Sequence, residues 1–120
     1  MDSGAAQKDV EIRAAIDELN EAHENVRGAR EEGERWQQEN PPPKQPKSVQ
    51  RMAEVEEFER RNEAWNKLHI EHRERLEQAQ AQLHTAQNKL VSLLPQHIGY
   101  VYKEKRYQRE GSSYRVDNMR

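Results

Sequence analysis

Two imidazoles one helical turn apart are the first residues in this chain that could do chemistry. In His69-Ile70-Glu71-His72 the spacing sets both rings on one side of a helix, and His23 is a third nitrogen donor that could approach them and Trp65 from upstream. Three imidazoles would suit a zinc-type ion, but the rest of a donor set is missing. Neither His-Glu-x-x-His nor a paired Glu-x-x-His occurs, and the carboxylates do not share the histidine face. The expectation is therefore no metal and no cofactor. Asn62 to His72 reads instead as a polar stretch that fixes register or partner choice at some cost in stability, and that could respond to mild acid.

The other reactive side chains fare no better. Ser112 and Ser113 stand near Asp117, yet no histidine is placed as their base and no strand-to-helix elbow presents them. Gly4, Gly28, Gly33, Gly99 and Gly111 are too scattered to cradle a phosphate. The glutamates fall mainly on solvent faces of helices, where a catalytic pair would lack a pocket. Cysteine is absent, which excludes disulfides and thiolate sites. The sequence reads as that of a protein that is not an enzyme.

Chemistry of a different kind gathers at the end. The segment GYVYKEKRYQREGSSYRVDNMR, residues 99–120, holds all four tyrosines and six of the twenty lysines and arginines. Basic side chains could meet phosphate while tyrosine rings stack on unpaired bases, which is the nucleic-acid reading. In the plainer reading the tyrosines pack a small β-hairpin and the charges keep its edges soluble. A third reading has the basic tail dock on an acidic helix of a neighbouring copy or on an acidic partner. The tail is expected to engage a protein. The contact set expected for it is Leu83, Leu90, Leu94, Ile98, Tyr100, Tyr102, Lys105, Arg106, Tyr107 and Arg109.

The elements that position these residues follow from periodicity. With Ile12 at position a, a heptad series runs Ala5, Ile12, Leu19, Val26, Gly33, with Ala15, Ala22, Ala29 and Trp36 at d. Asp2 or Ser3 can cap this helix. It stops at Asn40-Pro41-Pro42-Pro43, because proline lacks the amide donor and drives its predecessor out of the α region. NPPPKQPK reads as a short, stiff corner, with Ser48 as the next N-cap. The Pro43-x-x-Pro46 spacing would suit a proline-reading domain, but a corner accounts for the same residues.

A second series then has Val55, Asn62, His69, Leu76, Leu83 and Leu90 at a, with Phe58, Trp65, His72, Ala79, Ala86 and Leu93 at d, until Pro95. The expected fold is all-α: an antiparallel coiled-coil hairpin over 1–94, with helices near 3–39 and 48–94 and a corner at 40–47. A basic, tyrosine-rich tail at 95–120 would add a short β-hairpin with strands near 99–109 and 113–118. Its seam is Ile12, Leu19, Val26, Trp36, Val55, Phe58, Trp65 and Leu76. Folding about Lys44 would set Gly33 and Ala29 against Val55 and Phe58, and Ala22 against Trp65.

Composition limits the class. Apolar residues make up 32% and charged ones 35%, and the mean hydropathy is −1.34, so a large core cannot form and long helices burying one stripe remain. Residues 1–39 carry net −6 and residues 95–120 net +3, within a total of −2. No basic start followed by an apolar run opens the chain, and no segment reaches the length of a membrane span. These features suggest a cytoplasmic or otherwise reducing setting and no membrane partner. A two-helix hairpin buries little by itself, and Leu83 to Leu94 lack an evident cover. The expectation is a non-enzymatic assembly or adaptor protein that oligomerises or docks on a larger protein. The alternative is an accessory nucleic-acid-binding protein whose coiled coil pairs two basic tails.

Overall fold

The computed structural model describes residues 3–46 and 52–119. It contains two long helices that pack as an antiparallel hairpin, α1 (Ser3–Glu39) and α2 (Met52–Leu93). Three strands follow, β1 (Tyr100–Tyr102), β2 (Lys105–Glu110) and β3 (Ser113–Asn118), in one antiparallel sheet of order β1-β2-β3. The caps expected at Asp2, Ser3 and Ser48, and the helix start expected at 48, lie outside the described side chains. The chain divides into two compact units: Met1–Glu24 with Gln80–Arg120, and Asn25–Ala79. The division cuts across both helices, whereas the sequence suggests a boundary at Pro95.

In the first unit the expected stripe is buried: Ile12, Ala15, Leu19 and Ala22 from α1, with Ala86 and Leu90 from α2. Ile16 and Leu94 are buried as well, although neither sits on an a or d position. The cause is a second cover. Ile16 and Leu94 share one apolar cluster with Tyr107 of β2, and Tyr100, Tyr102 and Tyr114 pack against it. The end of α2 that the sequence left exposed is thus covered by the chain's own sheet, which is why these halves and the tail form one unit. α2 closes with Leu94 N–H donating to the Leu90 carbonyl at 2.9 Å, just before Pro95.

The tail differs from the expected two-stranded hairpin. What reads as one strand over 99–109 is broken at Lys103-Glu104, where φ is 50° and 64°. Tyr102 pairs with Lys105 across this two-residue loop, so the turn is of the I′ kind that matches strand twist. Such turns favour Asn-Gly, and Lys-Glu carries no such signal. The second turn follows the rule, with Gly111 at φ 62° between Glu110 and Ser113.

In the second unit α1 ends where expected. Asn40 donates its backbone N–H (2.8 Å) and its side-chain Nδ2 (3.0 Å) to the Trp36 carbonyl, and Pro41 follows. Val26 and Ala79 are buried, and Trp36, Val55, Phe58, Trp65 and Leu76 are half-buried, so the seam faces are those read from the heptads. The register is not. His72 lies nearest Gly33, Trp36 meets Trp65, and Arg75 Nη1 pairs with Glu32 Oε1 at 2.9 Å. Gly33 therefore faces a point 17 residues beyond Val55. Seam layers repeat about every 3.5 residues, so a slip of five layers, about 17.5 residues, keeps a and d positions in contact. Sequence pattern alone does not choose between such registers.

The proline segment makes that slip workable, because it is not a corner about Lys44. The Asn40 carbonyl accepts a bond from Trp65 Nε1 at 2.7 Å. Pro43, Lys44 and Pro46 line one hollow with Glu54, Glu57, Phe58 and Arg61. Residues 40–46 therefore run back along α2. Six extended steps reach about 19 Å at 3.1 Å each. The eleven helical steps from Trp65 back to Glu54 span about 17 Å, so the two lengths agree.

Candidate docking sheet and aromatic seam

Cross-strand partners share a face, so the pairings sort the tail's side chains. Tyr100 pairs with Tyr107, which pairs with Val116; Tyr102 pairs with Lys105; Arg109 pairs with Tyr114. All four tyrosines therefore lie on one side of the sheet, the side that packs on the helices. The opposite side holds Val101, Arg106 and Asp117 in one row and Gln108 with Arg115 in the next.

The tyrosine face is fixed to α1 by polar anchors at helical spacing. Tyr100 Oη donates to Asp9 Oδ1 and accepts from Arg13 Nε at 3.3 Å, while Arg13 pairs with Asp9 at 3.2 Å. One turn on, Tyr102 Oη donates to Asp17 Oδ2 at 3.2 Å and Lys103 Nζ to Asp17 Oδ1 at 2.8 Å. Lys89 of α2 bridges to Glu18 at 3.1 Å. The Lys103 ammonium, with the Tyr102 hydroxyl behind it, holds the Asp17 carboxyl below its ordinary value. The Lys103 ammonium is raised in turn by Asp17. Burial pushes the Tyr107 and Tyr114 phenols up, opposed by bonds to Asn20 and Gln87 respectively. Burial also raises Tyr100, and its bond to Asp9 adds to the rise.

The expected contact set divides accordingly. Leu90, Leu94 and Tyr107 are buried, and Leu83, Tyr100, Tyr102 and Arg109 are half-buried. The apolar surface of Leu90, Leu94 and Tyr107 is spent inside the chain, because the sheet closes over α2. Arg109 Nε donates to the Gly111 carbonyl at 3.0 Å. Ile98, Lys105 and Arg106 remain exposed. Arg106 lies across Gly99, where an added Cβ would collide with its guanidinium. Asp9, Arg13 and Asp17 were absent from the expected set. Their signal was present in the sequence: a carboxylate, a guanidinium and a carboxylate at i, i+4 and i+8 on the acidic helix, opposite a basic tail.

In the second unit the seam gathers aromatic rings. Trp65 stacks on His69 with centroids 4.9 Å apart, and Trp36 lies 5.5 Å from Trp65 and 5.1 Å from His72. Gln37 Nε2 and His69 Nδ1 are 3.1 Å apart. A hollow of about 300 Å³ opens beside them, lined by Gly33, Gln37, His69, His72 and Leu76 among others. His23 is exposed on α1 in the other unit. Among the described residues, no three His, Asp or Glu side chains are arranged to hold a metal ion. No helix among them is long and apolar enough to cross a membrane. No protein-family model, curated protein or solved structure matches this chain.

Proposed function

We propose that the chain is a non-enzymatic assembly or adaptor protein of the cytoplasm or another reducing compartment. Its helical hairpin carries a rigid C-terminal sheet, and the sheet engages a protein partner. One observation carries this reading: the tyrosine face is consumed in docking the sheet, while the opposite face and the edge at β3 stay exposed on an ordered platform. An ordered sheet with free backbone groups is a common protein-recognition surface. The nucleic-acid reading loses support from the same geometry. Tyr107 cannot stack on a base at 2% exposure, and Tyr100, Tyr102 and Tyr114 pack against the same buried cluster.

The test is a pull-down with tagged full-length protein from its native lysate, with and without nuclease, beside the variant Val101→Asp/Arg106→Glu. Proteins that survive nuclease but are lost with the variant support the reading. Proteins that vanish on nuclease treatment, with nucleic acid in the untreated half, overturn it.

A further inference from the structure

The open edge of β3 has a chemistry of its own. In the two-residue hairpin, Glu110 and Ser113 are the closing pair, and Met119 N–H donates to the Glu104 carbonyl at 2.9 Å. Odd-numbered residues of β3 thus aim their backbone groups at β2. Tyr114, Val116 and Asn118 aim theirs the other way, off the end of the β1-β2-β3 order. The six-residue edge has no proline and no bulge in its pairing. What it does have is one cation and one anion two residues apart, Arg115 and Asp117, with Val116 between them. They pair with each other at 3.0 Å, and Arg115 with Glu110 at 3.1 Å, in half-exposed surface pairs that cost little to exchange for the same pairs across a second copy.

We infer that β3 pairs with β3 of a second copy, antiparallel and centred on Val116, to make one continuous six-stranded sheet. This deepens the assembly reading above and rests on it. Parity and charge fix the register. Outward-facing groups meet only when even residues oppose even residues, which forbids a slip of one. Centring on Val116 sets Tyr114 against Asn118 of the second copy and Arg115 against its Asp117, twice by symmetry. The outward backbone groups of all three even residues are then satisfied. A slip of two in one sense would set Arg115 against Arg115, and in the other Asp117 against Asp117. Residues 115 and 117 fall at the non-hydrogen-bonded positions, where cross-strand side chains come closest, so the sign of each charge pair counts most there.

Charges on an edge strand commonly deter pairing altogether. An Arg and an Asp flanking a central valine deter the slips of two on either side, and larger slips leave fewer of the outward groups paired. The contact is isologous, so it closes at two copies and does not propagate from β3. The space beside the edge also fits. A hollow of about 400 Å³ is lined by Ser112, Ser113 and Tyr114 and by His84, Gln87, Asn88 and Val91 of α2. No residue of β2 lines it, so it lies on the open side of β3. Asn118 of the second copy, opposite Tyr114, would bring its amide over this mainly polar floor.

The experiment is sedimentation equilibrium on full-length protein over about 5–500 µM, the range suited to a modest interface. Wild type, Arg115→Asp, Asp117→Arg, Val116→Pro and a one-to-one mixture of the two charge variants are compared, with helicity checked by circular dichroism. The mass of wild type should rise from 14.2 kDa towards twice that value. Each charge variant alone should need at least about tenfold more protein to do so, since it sets like charges face to face in both pairs. Their mixture should recover wild-type association. The carboxylate introduced in one variant then faces the guanidinium introduced in the other, and the unchanged Asp117 of the first faces the unchanged Arg115 of the second. Val116→Pro, which deletes an outward N–H and leaves the β2 pairing intact, should stay at 14.2 kDa.

A wild type that stays monomeric throughout overturns the inference. So does a set of charge variants that self-associate as well as wild type, which would place assembly on another surface. The assembly reading fails separately, by the nuclease arm of the pull-down.

Discussion

Tyr107→Ala tests the claim on which the sheet's role depends, that β2 is clamped on the helices. Tyr107 is 2% exposed and shares a cluster with Ile12, Ile16, Leu90 and Leu94. Truncating a buried large aromatic costs about 3–5 kcal/mol when its surroundings cannot collapse. The sheet offers an escape, since it can lift away and remove the cavity with it. The loss is therefore capped by the free energy with which the sheet docks, and measuring it gives a lower bound on that quantity. Tyr107→Phe keeps the ring and loses only the bond to Asn20, worth about 1 kcal/mol. Val101→Ala, on the exposed outer face, should fall within about 0.5 kcal/mol of wild type. Urea unfolding followed in the far ultraviolet reads the helices, and near-ultraviolet dichroism reads the tyrosines. The expected order is a large loss for Tyr107→Ala, a small one for Tyr107→Phe and none for Val101→Ala. If Tyr107→Ala stays within about 0.5 kcal/mol of wild type, the sheet is not holding the core closed and the reasoning fails.

Alkali should loosen the same interface. Tyr100, Tyr107 and Tyr114 have raised values in the fold, so their contribution is intact below the ordinary value of about 10 and is lost as pH climbs through the raised values. A spectrophotometric tyrosine titration should show late, cooperative ionisation that becomes ordinary in urea. Asp17 has the opposite sign: its contribution is present above the ordinary carboxylate value and lost as pH falls through the lowered one, so Asp17→Asn should flatten the acid limb of a stability–pH curve. Gly28→Ala meets open space, and Gly33→Ala meets only His72 Cβ at 3.9 Å, so each should stabilise by up to about 1 kcal/mol in thermal melts.

The helices and the faces they bury were legible because the a and d stripe survives even where alanine and histidine occupy it. Ile12, Leu19, Val26, Trp65 and Leu76 all turn inward as their spacing requires. The register was not legible, because a repeating seam offers equivalent matches every few residues. The deciding contacts, Asn40 with Trp65 and the proline strut with Phe58, belong to no periodic pattern. The extra strand escaped notice for a related reason. Lys103-Glu104 adopts a turn that its residue types disfavour, held by the Asp17 pair and the bond from Met119 to the Glu104 carbonyl.

Closing the first unit joins the earliest helical turns to the last strands, and this sets a timetable for the chain as it is made. Ile12 is synthesised about 95 residues ahead of Tyr107, a delay of about 5–20 s at usual elongation rates. Throughout that interval the apolar stripe of α1 waits without its lid. A product truncated before Tyr107 never receives one, and it presents Ile16 and Leu90 as a greasy flag to the cell's chaperones and proteases. The sheet that completes the core thereby also certifies that translation has passed through it.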